Sequence, residues 1–494
     1  MSNIAELVVG AAEASPDACF GTVEEPLSLS VAIQTAARLS LHMHETGYKR
    51  GARWALIGHN STQYMLTWMA AQLAGVELAL LNPEYPDELL ASMLDDLQPQ
   101  VVAWLDCKTF EWGSDTTHEI DLRAWWNKQP GELELDPEKI VDIRTLDGLN
   151  CSSGDISAYI HTSGTTGRPK FCALSHDYFL RLGRFFADSM CLGKGDNLFA
   201  PLSMYHINPL GYGVVGALTA RASVLGTRKF SVSNFWPLVK KHHITALVLH
   251  PSVSILLATS SSAEDIKGHS VRIAFAAETL LCGLFDIPIG VCGYGSTESA
   301  GLSHSWHFRA SDSQMCKEGI SNYAGRARYD VNWMIDENGE ILVQDKAGQA
   351  ILSGYIRDGK VQSVLDENGW FHTGDRGRKD EYDNLIFIER LSEAIRVKGE
   401  YVPIDFVESK LTSCPSLAPF ALWRKESSTT GHEVILYTES SDVNLDEVRK
   451  AANQLPHFMQ PQKVVRIDQL PRVGADKVAR NRLLESAELE VFEL

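Results

Sequence analysis

Apolar and polar positions alternate between two periods along the first two-thirds of the chain. Trp54 to Ile57 is a short apolar run that reads as a strand, and Asn60 and Ser61 are placed to cap a helix behind it. Tyr64, Met65, Trp68, Met69 and Leu73 then recur at helical spacing. Gly75 is placed to end that helix, and Val76 to Leu81 reads as the next strand. Strand, helix and strand with short connections predict parallel pairing, because a crossover helix brings the chain back to the same end of a sheet. Asn82-Pro83-Glu84-Tyr85-Pro86 interrupts the pattern as a turn. A similar unit follows: Asn234 to His242 reads as a helix and Ala246 to His250 as a buried strand that Pro251 stops. Ile273 to Ala277 and Ile289 to Gly293 are further short strands.

The pattern changes from about Gly339. Glu340 to Val343, Ile351 to Leu352 and Leu385 to Ile388 read as short strands among turns such as Asp358-Gly359 and Glu367-Asn368-Gly369, which predicts a small β subdomain. Toward the C-terminus a strand at Val434 to Thr438, a helix at Asn444 to Gln454 and a strand at Val464 to Ile467 predict a compact α+β module. The expected fold is α/β: a large N-terminal domain of stacked α/β sheets with a small β subdomain, then a small α+β C-terminal domain. A chain of 494 residues suits such a division, since one core rarely grows that large.

Composition and charge narrow the partners. Hydrophobic residues make up 44% and charged residues 22%, an ordinary globular mixture. The excess of 63 acidic over 45 basic residues gives a net charge of −18. A field of that sign repels nucleic-acid backbones and anionic membranes, so an anionic nucleotide would need backbone amides or a metal ion to bind. The nine cysteines follow no metal-ligand spacing and read as reduced thiols, mostly small buried apolar residues, in a cytoplasmic protein. No apolar run approaches the roughly 20 residues of a membrane span. The N-terminal residues carry Glu6 and Glu13 rather than the basic start of a secretion signal.

The strongest chemical signal follows a strand at Ala158-Tyr159-Ile160. It is Thr162-Ser163-Gly164-Thr165-Thr166-Gly167-Arg168-Pro169-Lys170. Small residues let successive amides point inward, the hydroxyls add donors, and Lys170 adds a cation at the rim, which together suit phosphate oxygens. Pro169 precedes the lysine and Phe171 to Leu174 reads as a second strand, so this is a hairpin-like loop and not a Walker loop, which needs a helix there. Gly293-Tyr294-Gly295-Ser296-Thr297-Glu298 follows another strand. Its Gly295 allows close backbone approach, and Tyr294 offers a face on which adenine could stack. Thr373-Gly374-Asp375 presents an exposed carboxylate after a tight turn, which could accept two ribose hydroxyls.

These motifs, with Arg390 and the stretch Pro471 to Leu483 around Lys477, resemble the adenylate-forming superfamily of acyl-CoA synthetases, peptide-synthetase adenylation domains and luciferases. The resemblance runs along nearly the whole chain. It implies an ATP-dependent carboxylic acid–CoA ligase that forms an acyl-AMP and then a thioester. It also implies ATP, Mg²⁺ and coenzyme A as cofactors, a small-molecule acid as partner, and domains 1–391 and 392–494 that alternate about a hinge at Ser392. It assigns the ATP to the glycine-rich loop, Ala277, Glu278, Tyr294, Gly295, Asp375 and Arg390, with Asp375 and Arg390 on the ribose. Thr297 falls to the α-phosphate and Glu298 to the metal. Lys477 takes the catalytic cation that lies between the carboxylate and the α-phosphate. His206 would orient the acid and move aside for the thiol. Ile207, Asn208, His250, Cys292 and Gly293 would line the acyl pocket, and Lys398 and Gly399 the thiol tunnel.

The chain departs from the family at Phe171, where a glycine usually follows the loop lysine, and at Ser392, where the hinge is usually Asp or Lys. It departs again at Asp476, where a glycine usually precedes the catalytic lysine, and in a short stretch from Leu281 to Cys292. A ligase that loads a carrier protein, and a nucleotide-binding regulator without catalysis, are the competing readings; a homodimer stays open.

Overall fold

The computed structural model describes residues 1–45, 48–110, 112, 117–122, 126, 140–162, 169–276, 279–309, 323–390, 395–473, 477–478 and 480–494. The chain divides into two compact units. The first is Met1–Pro83, Leu94–His161 and Phe171–Glu389; the second is Glu84–Met93, Thr162–Lys170 and Arg390–Leu494.

The first strand–helix–strand unit folds as its pattern predicts. Arg53–Gly58 pairs in parallel with Glu77–Leu81 on one side and Val101–Leu105 on the other. The helix between them, Thr62–Ala74, is buried at every residue but Gln63. A helix apolar on all faces belongs between two layers. Ser61 caps it by accepting the Tyr64 amide, and Gly75 ends it in the left-handed region at φ 71°. Asn60 does something different from capping. Its amide nitrogen donates to the carbonyls of Leu202 and Thr227 at 2.8 and 3.1 Å, and its oxygen accepts the Met204 amide at 2.8 Å.

Two large sheets result. An eight-stranded sheet contains the parallel strands Ile156–Thr162, Glu77–Leu81, Arg53–Gly58, Val101–Leu105 and His118–Asp121. A thirteen-stranded sheet has a parallel centre made of Cys19–Thr22, Ser223–Gly226, Asn197–Phe199, Ala246–Val248, Ile273–Phe275 and Ile289–Tyr294. One core of buried side chains joins them: Trp54, Leu56 and Leu80 from the first sheet, Leu198, Val224 and Val291 from the second. Each such side chain contributes about 1.5–3 kcal/mol by leaving water.

The β-rich region is an antiparallel set continuous with the larger sheet, through His304–Arg309 and Tyr323–Ala327. Glu340–Asp345 and Leu385–Arg390 are strands, but Ile351 and Leu352 are not. The Asp345 carboxylate accepts the amides of Ala350 and Ile351, at 2.6 and 3.0 Å, so those donors are satisfied without a strand partner. The strand expected over Ala246 to His250 ends at Val248, and Pro251 opens the helix Pro251–Ser260. In the second unit Phe420–Ser427, Gly431–Thr438 and Lys463–Arg466 form the centre of a six-stranded sheet. The helix Leu445–Ala452 is capped by Asn444. Among the described residues no helix is long and apolar enough to cross a membrane. Among the described cysteines Cys151, Cys172, Cys282 and Cys414 are buried, while Cys19 and Cys191 are exposed.

Asn60 holds three backbone groups inside the fold, so truncating it strands them away from water. Asn60→Ala should destabilise the protein by about 2 kcal/mol, and Asn60→Asp should cost at least as much, because an acceptor-only carboxylate would face the Leu202 and Thr227 carbonyls. Chemical unfolding followed by tryptophan fluorescence checks both.

Candidate functional site

The densest chemistry lies where Ile289–Tyr294 leaves the larger sheet. The turn behind it, Gly295 to Leu302, folds on its own backbone. Ser296 and Ser299 exchange hydrogen bonds, each hydroxyl accepting the other's amide at 3.0–3.1 Å, and the Gly301 amide donates to the Ser296 carbonyl at 2.8 Å. A side chain at Gly295 would put a Cβ 2.1 Å from the Gly301 carbonyl oxygen, so the close approach at this glycine is made by the turn itself. Thr297 and Glu298 sit on the turn and are buried.

Buried polar groups hold the turn from behind. The Tyr178 hydroxyl donates to the Thr297 carbonyl and that of Tyr212 to the Gly301 carbonyl, both at 2.9 Å. The Arg328 guanidinium, fully buried, donates to the Ala300 carbonyl at 2.8 Å and forms a two-point pair with Asp330 at 2.9 and 3.0 Å. Arg181 adds a contact to Asp330 at 3.4 Å. Burial alone would raise the Asp330 carboxyl, but the hydrogen bonds and charge of Arg328 and Arg181 hold it below its ordinary value.

Two contacts tie the turn to neighbouring strands. The Tyr355 hydroxyl donates to Glu298 Oε1 at 3.2 Å, and the Leu352 amide donates to the Glu298 carbonyl. Tyr355 stands on Gly354–Arg357, which pairs with Lys170–Ser175 so that Tyr355 faces Cys172. The Tyr294 hydroxyl donates to Asp375 Oδ2 at 2.7 Å, and its ring stacks on Phe387 with centroids 5.9 Å apart. Asp375 is 2% exposed, not on the surface as its turn motif suggests, because it lies in the middle of the strand Phe371–Lys379. On the Tyr294 ring His304 is buried and edge-on to Trp333, and burial pushes its imidazole down to about 3.

The remaining residues fall in four places. His206 is half-buried beside Tyr205 and His161, with ring centroids 4.8 and 5.7 Å away. Ile207 and Asn208 follow at the start of a wide helical turn, Asn208–Val215. The Asn208 amide nitrogen donates to the Leu249 carbonyl at 2.9 Å, next to His250; its carbonyl oxygen is buried with no hydrogen-bond partner among the described residues. Cys292 and Gly293 lie across from Trp306 and Ser305 in the sheet. In the second unit Lys398 and Gly399 form a left-handed turn, φ 54° and 89°, between Ile395–Val397 and Glu400–Val402. Thr162 ends one strand and Lys170 begins its neighbour.

Ser163, Gly164, Thr165, Thr166, Gly167, Ala277, Glu278, Ser392 and Asp476 lie outside the described residues, as do the side chains of Arg390 and Lys477. Phe171 is a buried packing residue, its ring edge-on to His161 and its backbone paired with Ile356. The sequence reading missed Tyr355, Phe387, Arg328 and Asp330. Only Arg328 and Asp330 left a signal, opposite charges two residues apart, and that is common on surfaces.

One carboxylate, Glu298, with no cluster of three metal-binding side chains around it among the described residues, is the donor set a magnesium ion uses when nucleotide phosphates complete its shell.

The model of the AMP-binding enzyme family matches residues 17–356, and the chain belongs to that family. It is similar to 4-coumarate–CoA ligase 1 of Oryza sativa subsp. japonica, 25% identical over 480 residues that cover 88% of this chain and 83% of that one. Its fold is similar to that of o-succinylbenzoate CoA synthetase from Bacillus subtilis. A double mutant of that enzyme with a product analogue gives a TM-score of 0.80 at 20% identity, over 99% of this chain and 100% of that one. The same enzyme in complex with its acyl-adenylate intermediate gives 0.66 at 20% identity, over 99% of each chain.

The buried pair behind the turn should dominate local stability. Arg328→Met should cost about 3 kcal/mol by leaving Asp330 short of its main partner. Arg328→Met/Asp330→Leu should unfold at a higher temperature than Arg328→Met alone. The Asp330 carboxyl titrates lower in the fold than in the unfolded chain, so the stabilisation is present above about pH 4 and is lost below it. Thermal unfolding of the three proteins at pH 7 and pH 3.5 checks the order and its narrowing in acid.

Proposed function

We propose that this chain is an AMP-forming carboxylic acid–CoA ligase. The observation that carries the reading is a pair of buried acids, Glu298 held by Tyr355 and Asp375 held by Tyr294, in a member of the AMP-binding enzyme family. The acyl-adenylate and CoA-product complexes of the similar B. subtilis enzyme support both half-reactions.

In the first step an oxygen of the substrate carboxylate attacks the α-phosphorus of ATP and pyrophosphate leaves, so a poor leaving group becomes a good one. Asp375 and Arg390 hold the ribose, with Tyr294, Gly295, Ala277 and Glu278 around the nucleoside. The loop from Thr162 to Lys170 cradles the phosphates, and Thr297 donates to the α-phosphate. Glu298 would hold Mg²⁺, which supplies charge neutralisation on the phosphates. Lys477 offsets the repulsion between the two reacting anions. In the second step the thiol of coenzyme A displaces AMP, entering past Lys398 and Gly399 as His206 moves aside. The C-terminal domain, residues 392–494 with Ser392 as hinge, supplies Lys477 to one step and Gly399 to the other.

The acid is a short, functionalised or aromatic one. Asn208 and His250 give the expected acyl pocket polar groups, and the buried Asn208 oxygen favours an acid carrying a hydrogen-bond donor over a long fatty chain. Pyrophosphate release across a panel of aromatic, hydroxylated and fatty acids tests this; fastest turnover of long fatty acids would overturn it.

Lys477→Ala separates the two steps. It should lower acid-dependent ATP–pyrophosphate exchange by about a hundredfold or more while thioester formation from supplied acyl-AMP and CoA stays near the wild-type rate. Equal loss of both steps would remove Lys477 from the proposed role. Transfer to phosphopantetheinylated carrier proteins but not to free CoA would replace the acceptor.

A further inference from the structure

His372 stands three residues before Asp375, at the start of the strand Phe371–Lys379. Its ring is half exposed, and both nitrogens face carboxylates: Nδ1 lies 3.1 Å from Glu340 Oε2, and Nε2 lies 3.5 Å from Asp366 Oδ2. A neutral imidazole donates from one nitrogen only, so the cation is the form that satisfies both acids. Neither acid hangs freely. Asp366 accepts the amides of Asn368 and Trp370 at 2.9 and 2.8 Å, which fixes its turn. Glu340 is mostly buried, and its second oxygen, Oε1, accepts the Gly374 amide at 2.8 Å.

That last bond is the informative one. Gly374 adopts φ 70° and immediately precedes Asp375, whose carboxylate accepts the Tyr294 hydroxyl. The Asp375 amide in turn donates to the Thr373 hydroxyl at 3.1 Å, and that hydroxyl donates to the Ile341 carbonyl at 2.7 Å. The Thr373-Gly374-Asp375 turn is therefore pinned to the strand Glu340–Asp345 at two points, and the Glu340 point is loaded by His372. From the remaining elements Asp336 faces the same group across the turn before Glu340, and Arg376 lies opposite Glu340 in the register.

We propose that His372 is a positioning residue for nucleotide recognition: as a cation it holds Glu340, Glu340 holds the Gly374 amide, and the amide sets the Asp375 carboxylate against the ribose. This rests on the proposed role of Asp375. The hydrogen bond to Glu340 chiefly, against a smaller opposing effect of burial, raises the imidazole above its ordinary value. A group raised in this way keeps its clamp intact below the ordinary imidazole range and loses it as pH climbs through the raised value. Ribose recognition should weaken over that interval.

The test compares the dissociation constants of MgATP and Mg-2′-deoxy-ATP, measured by calorimetry without any acid substrate, from pH 6 to pH 9. Their ratio isolates the ribose from the phosphates. The wild-type preference for ATP should fall as pH rises. His372→Gln should reduce the preference at pH 6 by about threefold, the scale of a half-exposed ion pair, and flatten its pH dependence. His372→Arg, which keeps the charge at every pH, should hold the preference high and flat. Glu340→Leu should reduce it further, and adding His372→Gln to Glu340→Leu should change nothing more. A His372→Gln protein with wild-type preference and pH slope would overturn the relay, provided Asp375→Asn has lost the preference. If Asp375→Asn keeps the preference, the ribose role of Asp375 fails instead.

Discussion

A guanidinium with no exposed surface sets the geometry on which the candidate site depends. Arg328 is fully buried, and a buried cation is tolerable only when paired and hydrogen-bonded. Its two-point pair with Asp330 supplies the charge. Its donor to the Ala300 carbonyl couples that charge to the turn carrying Thr297 and Glu298. The alternatives for this turn are poor: carbonyls that point away from solvent, close to a backbone that Gly295 brings within van der Waals range, would be stranded without the arginine. The pair therefore matters less as a stabilising increment than as a restriction on which arrangement of the turn can exist.

The same logic recurs at each acid of the site. Glu298 is oriented through its side chain by Tyr355 and through its carbonyl by Leu352, and the segment containing Leu352 is held by the Asp345 carboxylate. Asp375 is oriented by Tyr294 and by the Thr373 and Glu340 contacts to the neighbouring strand. Tyrosine suits both places. It buries an apolar ring in the core, as Tyr294 does on Phe387, and still delivers one directional donor to a carboxylate. Acids fixed in this way are ready for a hydroxyl or a cation without reorganising, which is the economical arrangement for an electrostatic site.

How much of this the amino-acid sequence discloses follows from the range of the interactions. The helix Thr62–Ala74, its Ser61 cap and its Gly75 terminus are local events, and a period and two residue types suffice to read them. The turn from Gly293 to Glu298 is also local, since its small residues and its strand are contiguous. Arg328 is different. It stands between exposed Arg326 and exposed Tyr329 in a stretch that looks like a solvated loop, and its partner carbonyl lies 28 positions earlier. Ile351 and Leu352 look like a strand because they are apolar. Only the Asp345 side chain, which accepts the Ile351 amide, and the Glu298 carbonyl, which accepts that of Leu352, show why their amides need no ladder. The burial of Asp375 was hidden for the same reason: a Gly-Asp pair suggests a surface turn, and its strand is tied to Glu340 and Ile341 across the sheet.

The long-range polar contacts work together with apolar packing beside them. Phe171 is buried, its ring edge-on to His161 and its backbone paired with Ile356. Its strand neighbour Tyr355 is the residue that reaches Glu298. A bulky apolar side chain at this position packs the strand pair that carries Tyr355. In this chain buried charge and tyrosine hydroxyls therefore decide where the two carboxylates stand.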